Sequence, residues 1–196
     1  MAFDGVTIAG IVSELKDKLI GNRIYKIAQP EKDELLLTVK GSCGQVRLLM
    51  SADASLPLLY LTQQNKTSPM TAPNFCMLLR KHLQNARIVS VAQPGLERIV
   101  RFELEHLNEL GDLCRKYLII ELMGKHSNII FCDDKDMIID SIKHISGMVS
   151  SVREVLPGRI YFIPKTQDKA ELLACTKDEM AAVLRAKNVP LFKAVY

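Results

Sequence analysis

The sequence has no tryptophan, and only 6% of its residues are aromatic. So few aromatic side chains argue against a binding surface built mainly on base stacking. Its five cysteines are odd in number and widely spaced, and no C-x-x-C pair occurs. This pattern is typical of neither a disulfide framework nor a zinc site. It favours reduced, mostly buried thiols in a cytoplasmic protein.

The first residues also lack the features of a secretory signal. No Lys or Arg precedes Lys16, and Asp4 stands where a signal has a basic start followed by an apolar run. No apolar stretch is long enough to cross a bilayer, so no membrane partner is expected. The formal net charge of +4 is mildly basic, which permits a nucleic-acid partner without requiring one.

Motifs of the common catalytic sites are missing. The sequence contains no G-x-G-x-x-G, no P-loop, no H-E-x-x-H and no G-x-S-x-G. The four histidines are scattered without metal-ligand spacing. His126 and Ser127 are neighbours, but adjacent strand residues point to opposite faces, so direct proton transfer between them is not expected. We therefore predict no catalytic residue, no metal, no cofactor and no small-molecule substrate.

Apolar periodicity predicts a mixed α and β fold. Helical spacing covers residues 5–20 and 73–85, and Pro73 is suited to the start of the second helix. Beyond Asp168 the composition changes to Ala, Leu, Lys and Glu, with a helical pattern from Thr176 to Ala186. Period-two alternation predicts strands at Ile24–Ala28, Leu35–Val39, Val46–Met50, Leu58–Thr62, Ile88–Gln93, Arg98–Leu104, Tyr117–Met123, Asn128–Cys132, Met137–Ile139 and Tyr161–Ile163.

Three polar motifs stand out, and the residues alone leave each of them open. Gly124-Lys-His-Ser-Asn128 suits a loop that meets a phosphate or a base edge, but it also suits an ordinary polar turn. Glu97-Arg98 is either a weak surface charge pair or a recognition element. Arg80, Lys81 and His82 fit a solvated helix face as well as a basic contact.

Together and in this order, five segments resemble the N-terminal domain of the NFACT family. They are Met1–Gly5, Asn74–His82, Gly95–Ile99, Glu121–Ile130 and Ser151–Gly158, and the resemblance covers about residues 1–165. Bacterial members of the family are ribosome quality-control factors of the RqcH type, many of them labelled fibronectin-binding protein A. Motifs of this length in the correct order are far more specific than any one of them alone.

The resemblance implies a fold and a domain boundary. The family's first domain resembles that of formamidopyrimidine-DNA glycosylases, an antiparallel β-sandwich with flanking helices, so we expect two sheets packed face to face in an α+β fold. The family domain is then expected to span residues 1–168. Residues 169–196 are expected to begin a helical, helix-hairpin-helix region that is truncated here.

The resemblance also implies partners. Family members bind a large ribosomal subunit that still holds peptidyl-tRNA, and they recruit tRNA, alanyl-tRNA in bacteria, for C-terminal tailing without mRNA. The family's Asp-Arg pair for tRNA recruitment falls on Glu97 and Arg98, with Glu in place of Asp. The strand end and loop that approach the anticodon fall on Glu121, Leu122, Met123, Gly124, Lys125 and His126.

The resulting hypothesis is an RNA-binding domain and not an enzyme. Arg98 and Lys125, with Arg80 and Lys81, would supply phosphate or stacking contacts, while Glu97 and Glu121 would orient an arginine or accept hydrogen bonds from bases. One alternative is a fibronectin-binding surface adhesin. The other is a nucleic-acid glycosylase, but Met1-Ala2 stands where the glycosylases have their nucleophilic proline.

Overall fold

The computed structural model describes residues 3–41, 44–108, 110–150, 152–163 and 175–186. The chain divides into two compact units, Met1–Pro164 and Lys165–Tyr196. The predicted domain boundary at residue 168 lies outside the described residues and stays a prediction. None of the helices in the described ranges is long and apolar enough to cross a membrane.

The first unit is an α+β fold dominated by one antiparallel sheet. Helix α1 spans Gly5–Leu19 and helix α2 spans Asn74–Leu83. Nine strands form the sheet in the order β4-β3-β2-β1-β5-β6-β7-β8-β9. In chain order, β1 to β9 are Arg23–Ala28, Glu34–Gly41, Gly44–Ser51, Leu58–Thr62, Arg87–Ala92, Ile99–Leu107, Leu113–Glu121, Asn128–Cys132 and Ile138–Ser141.

The sheet consists of two meanders, β1–β4 and β5–β9, joined edge to edge. The pairing between β1 and β5 is short. Among the described residues, Arg23 and Arg87 are the only pair of residues that are aligned across these two strands. The predicted helices, the antiparallel strands and the α+β class are confirmed. The prediction of two separate sheets was wrong, since this pairing makes the two meanders one hydrogen-bonded sheet.

The two meanders nevertheless meet again far from their joint. Lys143, just beyond β9, donates a hydrogen bond from Nζ to the carbonyl oxygen of Ala52, just beyond β3. Six strands lie between β3 and β9 in the sheet order, so a flat sheet would hold them about 34 Å apart. The sheet is therefore folded over, and its two halves face each other around a shared core.

That core is filled by the apolar faces of both helices. α1 buries Ile8, Val12, Leu15 and Leu19, which are spaced as one helical face, while Val6 lies on the opposite side and is 67% exposed. α2 buries Phe75, Cys76, Leu79 and Leu83. These side chains pack with inward-facing residues of both meanders in a single cluster. Hydrophobic burial thus holds the folded sheet together.

The outer face of β6–β9 carries a second, smaller apolar cluster. Its members are Ile99, Ile119, Ile130, Cys132, Ile138, Val155 and Tyr161. Val155 and Tyr161 come from residues 142–150 and 152–163, which have little regular structure and cover this face. The predicted strand Tyr161–Ile163 was wrong. Its apolar side chains pack on the sheet, and Met137 and Ile160 form only an isolated bridge beside it.

The described cysteines agree with reduced thiols. Cys76 and Cys132 are buried, Cys114 and Cys175 are half-buried, and none of the four forms a disulfide. Burial raises the pKa of the Cys132 thiol to about 12, so this group stays protonated at neutral pH.

The second unit is described from residue 175 to residue 186. Helix α3 spans Lys177–Ala186 and confirms the helical pattern of the sequence. Thr176 and Glu179 form a capping box, in which Glu179 Oε2 accepts the backbone N–H of Thr176 at 2.8 Å. In return, the backbone N–H of Glu179 donates to Thr176 Oγ1 at 3.3 Å.

Candidate nucleic-acid interface

The antiparallel pairing of β6 and β7 brings two of the predicted motifs together. Ile99 at the start of β6 pairs with Glu121 at the end of β7. One residue further out, the backbone N–H of Leu122 donates to the carbonyl oxygen of Arg98 at 2.8 Å. The loop of residues 95–98 and the loop of residues 123–127 therefore lie side by side at one end of the sheet.

Glu97 and Arg98 are both exposed at this end. Among the residues that the structure describes, no salt bridge joins Glu97 to Arg98, although the sequence left a surface charge pair open. The backbone N–H of Glu97 donates to Pro94 at 2.9 Å and closes the turn before β6. The guanidinium of Arg98 is thus available to an anion or to the face of a base.

Gln93 and Gly5 hold the arginine loop against the first helix. The Gln93 side-chain amide donates from Nε2 to the carbonyl oxygens of Gly5, at 2.8 Å, and Glu97, at 2.9 Å. A Cβ atom on Gly5 would overlap the carbonyl oxygen of Leu96, so only glycine allows this close approach. The sequence reasoning missed both residues, because neither carries a charge and their contacts are long-range.

The second loop is stabilised by Gly124, Ser127 and Asn128. The side chains of Ser127 and Asn128 are buried and do not face a binding partner. Gly124 has a φ of +58°, in the left-handed region that favours glycine. The buried hydroxyl of Ser127 accepts the backbone N–H of Met123 at 2.8 Å. Asn128 Nδ2 donates to the carbonyl oxygen of Lys143 at 2.9 Å.

Lys125 and His126 are exposed on this tight turn. Gly124, Ser127 and Asn128 thus form an ordinary polar turn. Lys125 and His126 project from this turn, which lies beside the loop that carries Arg98. Both of the alternatives that the sequence left open apply, each to different residues of the motif.

Glu121 has a structural position that the sequence did not indicate. Its side chain is fully buried. Arg153 Nη2 donates to Glu121 Oε2, and the Tyr161 hydroxyl donates to Glu121 Oε1 at 2.9 Å. Burial raises the pKa of Tyr161, and the Glu121 carboxylate raises it further, so the phenol remains a donor. Glu121 therefore anchors the covering segment and faces neither Arg98 nor solvent.

Leu122 and Met123 complete the predicted set at this end. Leu122 is 1% exposed and belongs to the main core, while Met123 is half-buried against the outer cluster. The exposed chemistry at this end therefore comes from Glu97, Arg98, Lys125 and His126. The segment Ser151–Gly158 contributes through Arg153, whose pairing with Glu121 no local sequence signal indicates.

Arg80 and Lys81 lie elsewhere. Arg80 Nε donates to the carbonyl oxygen of Ile27 at 2.9 Å, and Lys81 borders a cleft with Glu105, His106 and Leu107. Those last residues are at the far end of β6, whose nine residues span about 27 Å. The α2 cations and Arg98 therefore do not belong to one local site. In the described part of the chain, no cluster of three or more His, Cys, Asp or Glu is arranged to hold a metal.

Comparison with known proteins identifies several relatives. The chain is 40% identical over its full length to the Rqc2 homolog RqcH of Bacillus subtilis, of which it covers 34%. It is 26% identical over 77% of its length to the mouse ribosome quality control complex subunit NEMF, of which it covers 13%. The chain thus spans about a third or less of the length of these curated relatives.

A solved structure is similar along most of the chain. The N-terminal domain of the fibronectin-binding protein PavA from Streptococcus pneumoniae matches with a TM-score of 0.87 and 37% identity. This match covers 94% of the present chain and 69% of that structure. The family model described as NFACT N-terminal and middle domains matches residues 4–196. The chain therefore belongs to the NFACT family.

Proposed function

We propose that this chain is the tRNA-binding domain of a ribosome-associated quality-control factor. The observation that carries the proposal is the pairing of β6 with β7, which sets exposed Arg98 beside exposed Lys125 and His126. An exposed arginine that has no carboxylate partner in the described part of the chain, next to a lysine, suits a phosphate backbone with an adjacent base. The names of the curated relatives support the ribosomal role.

The finer features of this role follow from the family resemblance. The protein would work in the cytoplasm on a large ribosomal subunit that holds peptidyl-tRNA, and it would recruit alanyl-tRNA for tailing. The domain would bind and position RNA, since peptidyl transfer belongs to the ribosome. The resemblance of this fold to the first domain of formamidopyrimidine-DNA glycosylases stays a prediction.

The buried Glu121 supports the proposal indirectly. Its bonds to Arg153 and Tyr161 fix the end of β7, from which the Lys125 turn projects. Gln93 and Gly5 fix the opposing arginine loop. Both loops are thus held by contacts with other elements, and contact groups that are held in place before binding lose less entropy when they bind.

Arg98→Ala in the full-length protein tests this proposal. Loss of one such contact is worth about 1–3 kcal/mol, so tRNA affinity should fall roughly 5- to 150-fold. The thermal midpoint should hardly change, because an exposed arginine supports little of the core. Arg159→Ala is the matched control, since Arg159 is an exposed arginine paired with Glu154 at 2.8 Å. Equal tRNA affinity for wild type, Arg98→Ala and the control would discard the site.

Fibronectin binding is a second candidate function, because the matched solved structure comes from a protein of that name. Surface plasmon resonance with immobilised fibronectin distinguishes the two candidates. On the tRNA proposal, Arg98→Ala changes tRNA binding and leaves any fibronectin signal where it was.

A further inference from the structure

The surface around the end of α2 and the start of β1 concentrates positive charge. Two neighbouring clefts share Gln84 in their walls. The first is also lined by Tyr25, Lys26, Ile27 and Arg80. The second includes Arg23, Lys81, Arg87 and Glu105. Lys40 lies over the Tyr25 ring, with Nζ 3.3 Å from the ring centroid.

Two of these cations bond to backbone carbonyl groups. Arg23 Nη1 donates to the carbonyl oxygen of Asn85, and Arg80 Nε donates to that of Ile27, so neither of these bonds engages a carboxylate. Among the described residues that line the clefts, Glu105 is the one carboxylate, and Arg87 pairs with it at 2.9 Å.

The local fold explains how strand residues come to face outward here. The register of β1 against β2 shifts between Ile24 and Lys26, and this bulge leaves both Tyr25 and Lys26 exposed. A favourable interaction with the helix dipole accounts for cations in the last turn of α2. It does not account for Arg23, Lys26 and Lys40, which come from strands.

We propose that this surface, defined by Arg23, Tyr25, Lys26, Lys40, Arg80 and Arg87, binds the phosphodiester backbone of RNA as a second contact separate from Arg98. Phosphates along a nucleic-acid chain favour several cations spread over one face, and the half-exposed Tyr25 adds an aromatic edge. The inference rests on the proposed function, because it adds a second contact to an RNA-binding domain.

The two contacts would have different chemistry. Arg98 lies about one strand length from this surface, beyond the reach of a single nucleotide. A bound RNA would therefore touch both only along an extended or helical segment. The second surface offers charge without a fixed base-reading group, so it should bind RNA with little dependence on sequence.

The test compares Lys26→Gln/Lys40→Gln with Lys32→Gln/Lys135→Gln in the full-length protein. Both double variants remove two exposed lysine charges. Lys26 lines the first cleft and Lys40 lies over the Tyr25 ring, whereas Lys32 and Lys135 line neither cleft. Binding is measured across a salt series with three probes: purified tRNA, an oligouridine and purified large ribosomal subunits. Thermal midpoints are recorded to establish that each variant is folded.

The surface variant should weaken binding and reduce the slope of log affinity against log salt by about 2, or about 1 for each lost phosphate contact. The control variant should keep the wild-type slope. An effect with free tRNA would assign the surface to tRNA, and an effect confined to ribosomal subunits would assign it to ribosomal RNA. Identical slopes for both double variants with all three probes would overturn the proposal.

Two further arms separate this proposal from others. If Arg98→Ala binds tRNA normally while Lys26→Gln/Lys40→Gln does not, the Arg98 site fails and the second surface stands. The reverse result, together with unchanged binding of oligouridine and ribosomal subunits by the surface variant, removes the second surface alone. A polyglutamate peptide that binds the wild type but not the surface variant, with RNA binding unchanged, would identify an acidic protein as the partner and overturn the RNA assignment.

Discussion

At the residue scale, the carboxylate of Glu121 has the most demanding environment. It is fully buried, and its two oxygens accept hydrogen bonds from Arg153 and Tyr161. A buried charge costs several kcal/mol in lost hydration unless a partner of opposite sign and good geometry compensates. Arg153, with 11% of its side chain exposed, is that partner.

Arg153→Met should therefore lower the free energy of unfolding by about 3–5 kcal/mol, because it leaves Glu121 buried without a counter-charge. Urea denaturation measures this change. The matched control is Arg159→Met, whose pair with Glu154 is mostly exposed and should be worth about 0–1 kcal/mol. Equal losses from the two substitutions would contradict a structural role for the Arg153 pair.

No feature of the sequence distinguishes Glu121 from Glu97 as a member of the candidate site. Both are acids near the junction of β6 and β7, but one faces the outer cluster and the other faces solvent. The difference comes from the covering segment, and Arg153 approaches Glu121 from 32 positions along the chain. A local motif contains no information about a contact of that kind.

At the scale of the element, α1 offers two glycines with opposite roles. Gly5 lies against the arginine loop, where a Cβ would overlap the Leu96 carbonyl oxygen. Gly10 is exposed, and a Cβ there would have no neighbour within 4 Å. The same substitution in the same helix should thus have effects of opposite sign.

Gly10→Ala should stabilise the domain by about 0.5–1 kcal/mol, since alanine loses less backbone entropy in a helix. Gly5→Ala should destabilise it and weaken tRNA binding, because the loop that holds Arg98 must move. Thermal unfolding and tRNA affinity of the two variants provide the check. A Gly5→Ala protein with wild-type stability and affinity would show that the loop does not depend on this close approach.

The elements themselves could largely be predicted from periodicity. The apolar face of α1 and the alternating apolar residues of β6 and β7 are visible in the sequence because each element packs against the core along its length. Tyr161–Ile163 has the same apolar character but adds no strand, because Tyr161 packs on the outer sheet face as part of an irregular covering. Apolar composition predicts burial more reliably than it predicts the backbone conformation.

At the scale of the whole molecule, the joint between the meanders decides the architecture. One registered pair, Arg23 with Arg87, makes a single sheet of what would otherwise be two, and no local pattern indicates it. The bond between Lys143 and Ala52 then depends on how far that sheet folds over. Long-range contacts of this kind are determined by how the shared core packs.

The folded sheet also separates the two basic regions. Arg98, Lys125 and His126 lie at one end of β6, and the second surface lies near the other. The sequence predicted the α2 cations and Arg98 as one set because both fall in family-like motifs. The structure divides them, and on the functions proposed above the domain would contact an RNA at two separate points.

The central claim is that the loops of residues 95–98 and 123–127 contact tRNA. Ultraviolet cross-linking of the full-length protein to its bound RNA, with identification of both the cross-linked peptides and the RNA, tests it most directly. We expect tRNA to be the enriched RNA and the cross-linked peptides to include Arg98 or the Met123–His126 turn. Recovered RNA without tRNA enrichment, or tRNA cross-links that avoid both loops, would contradict the account.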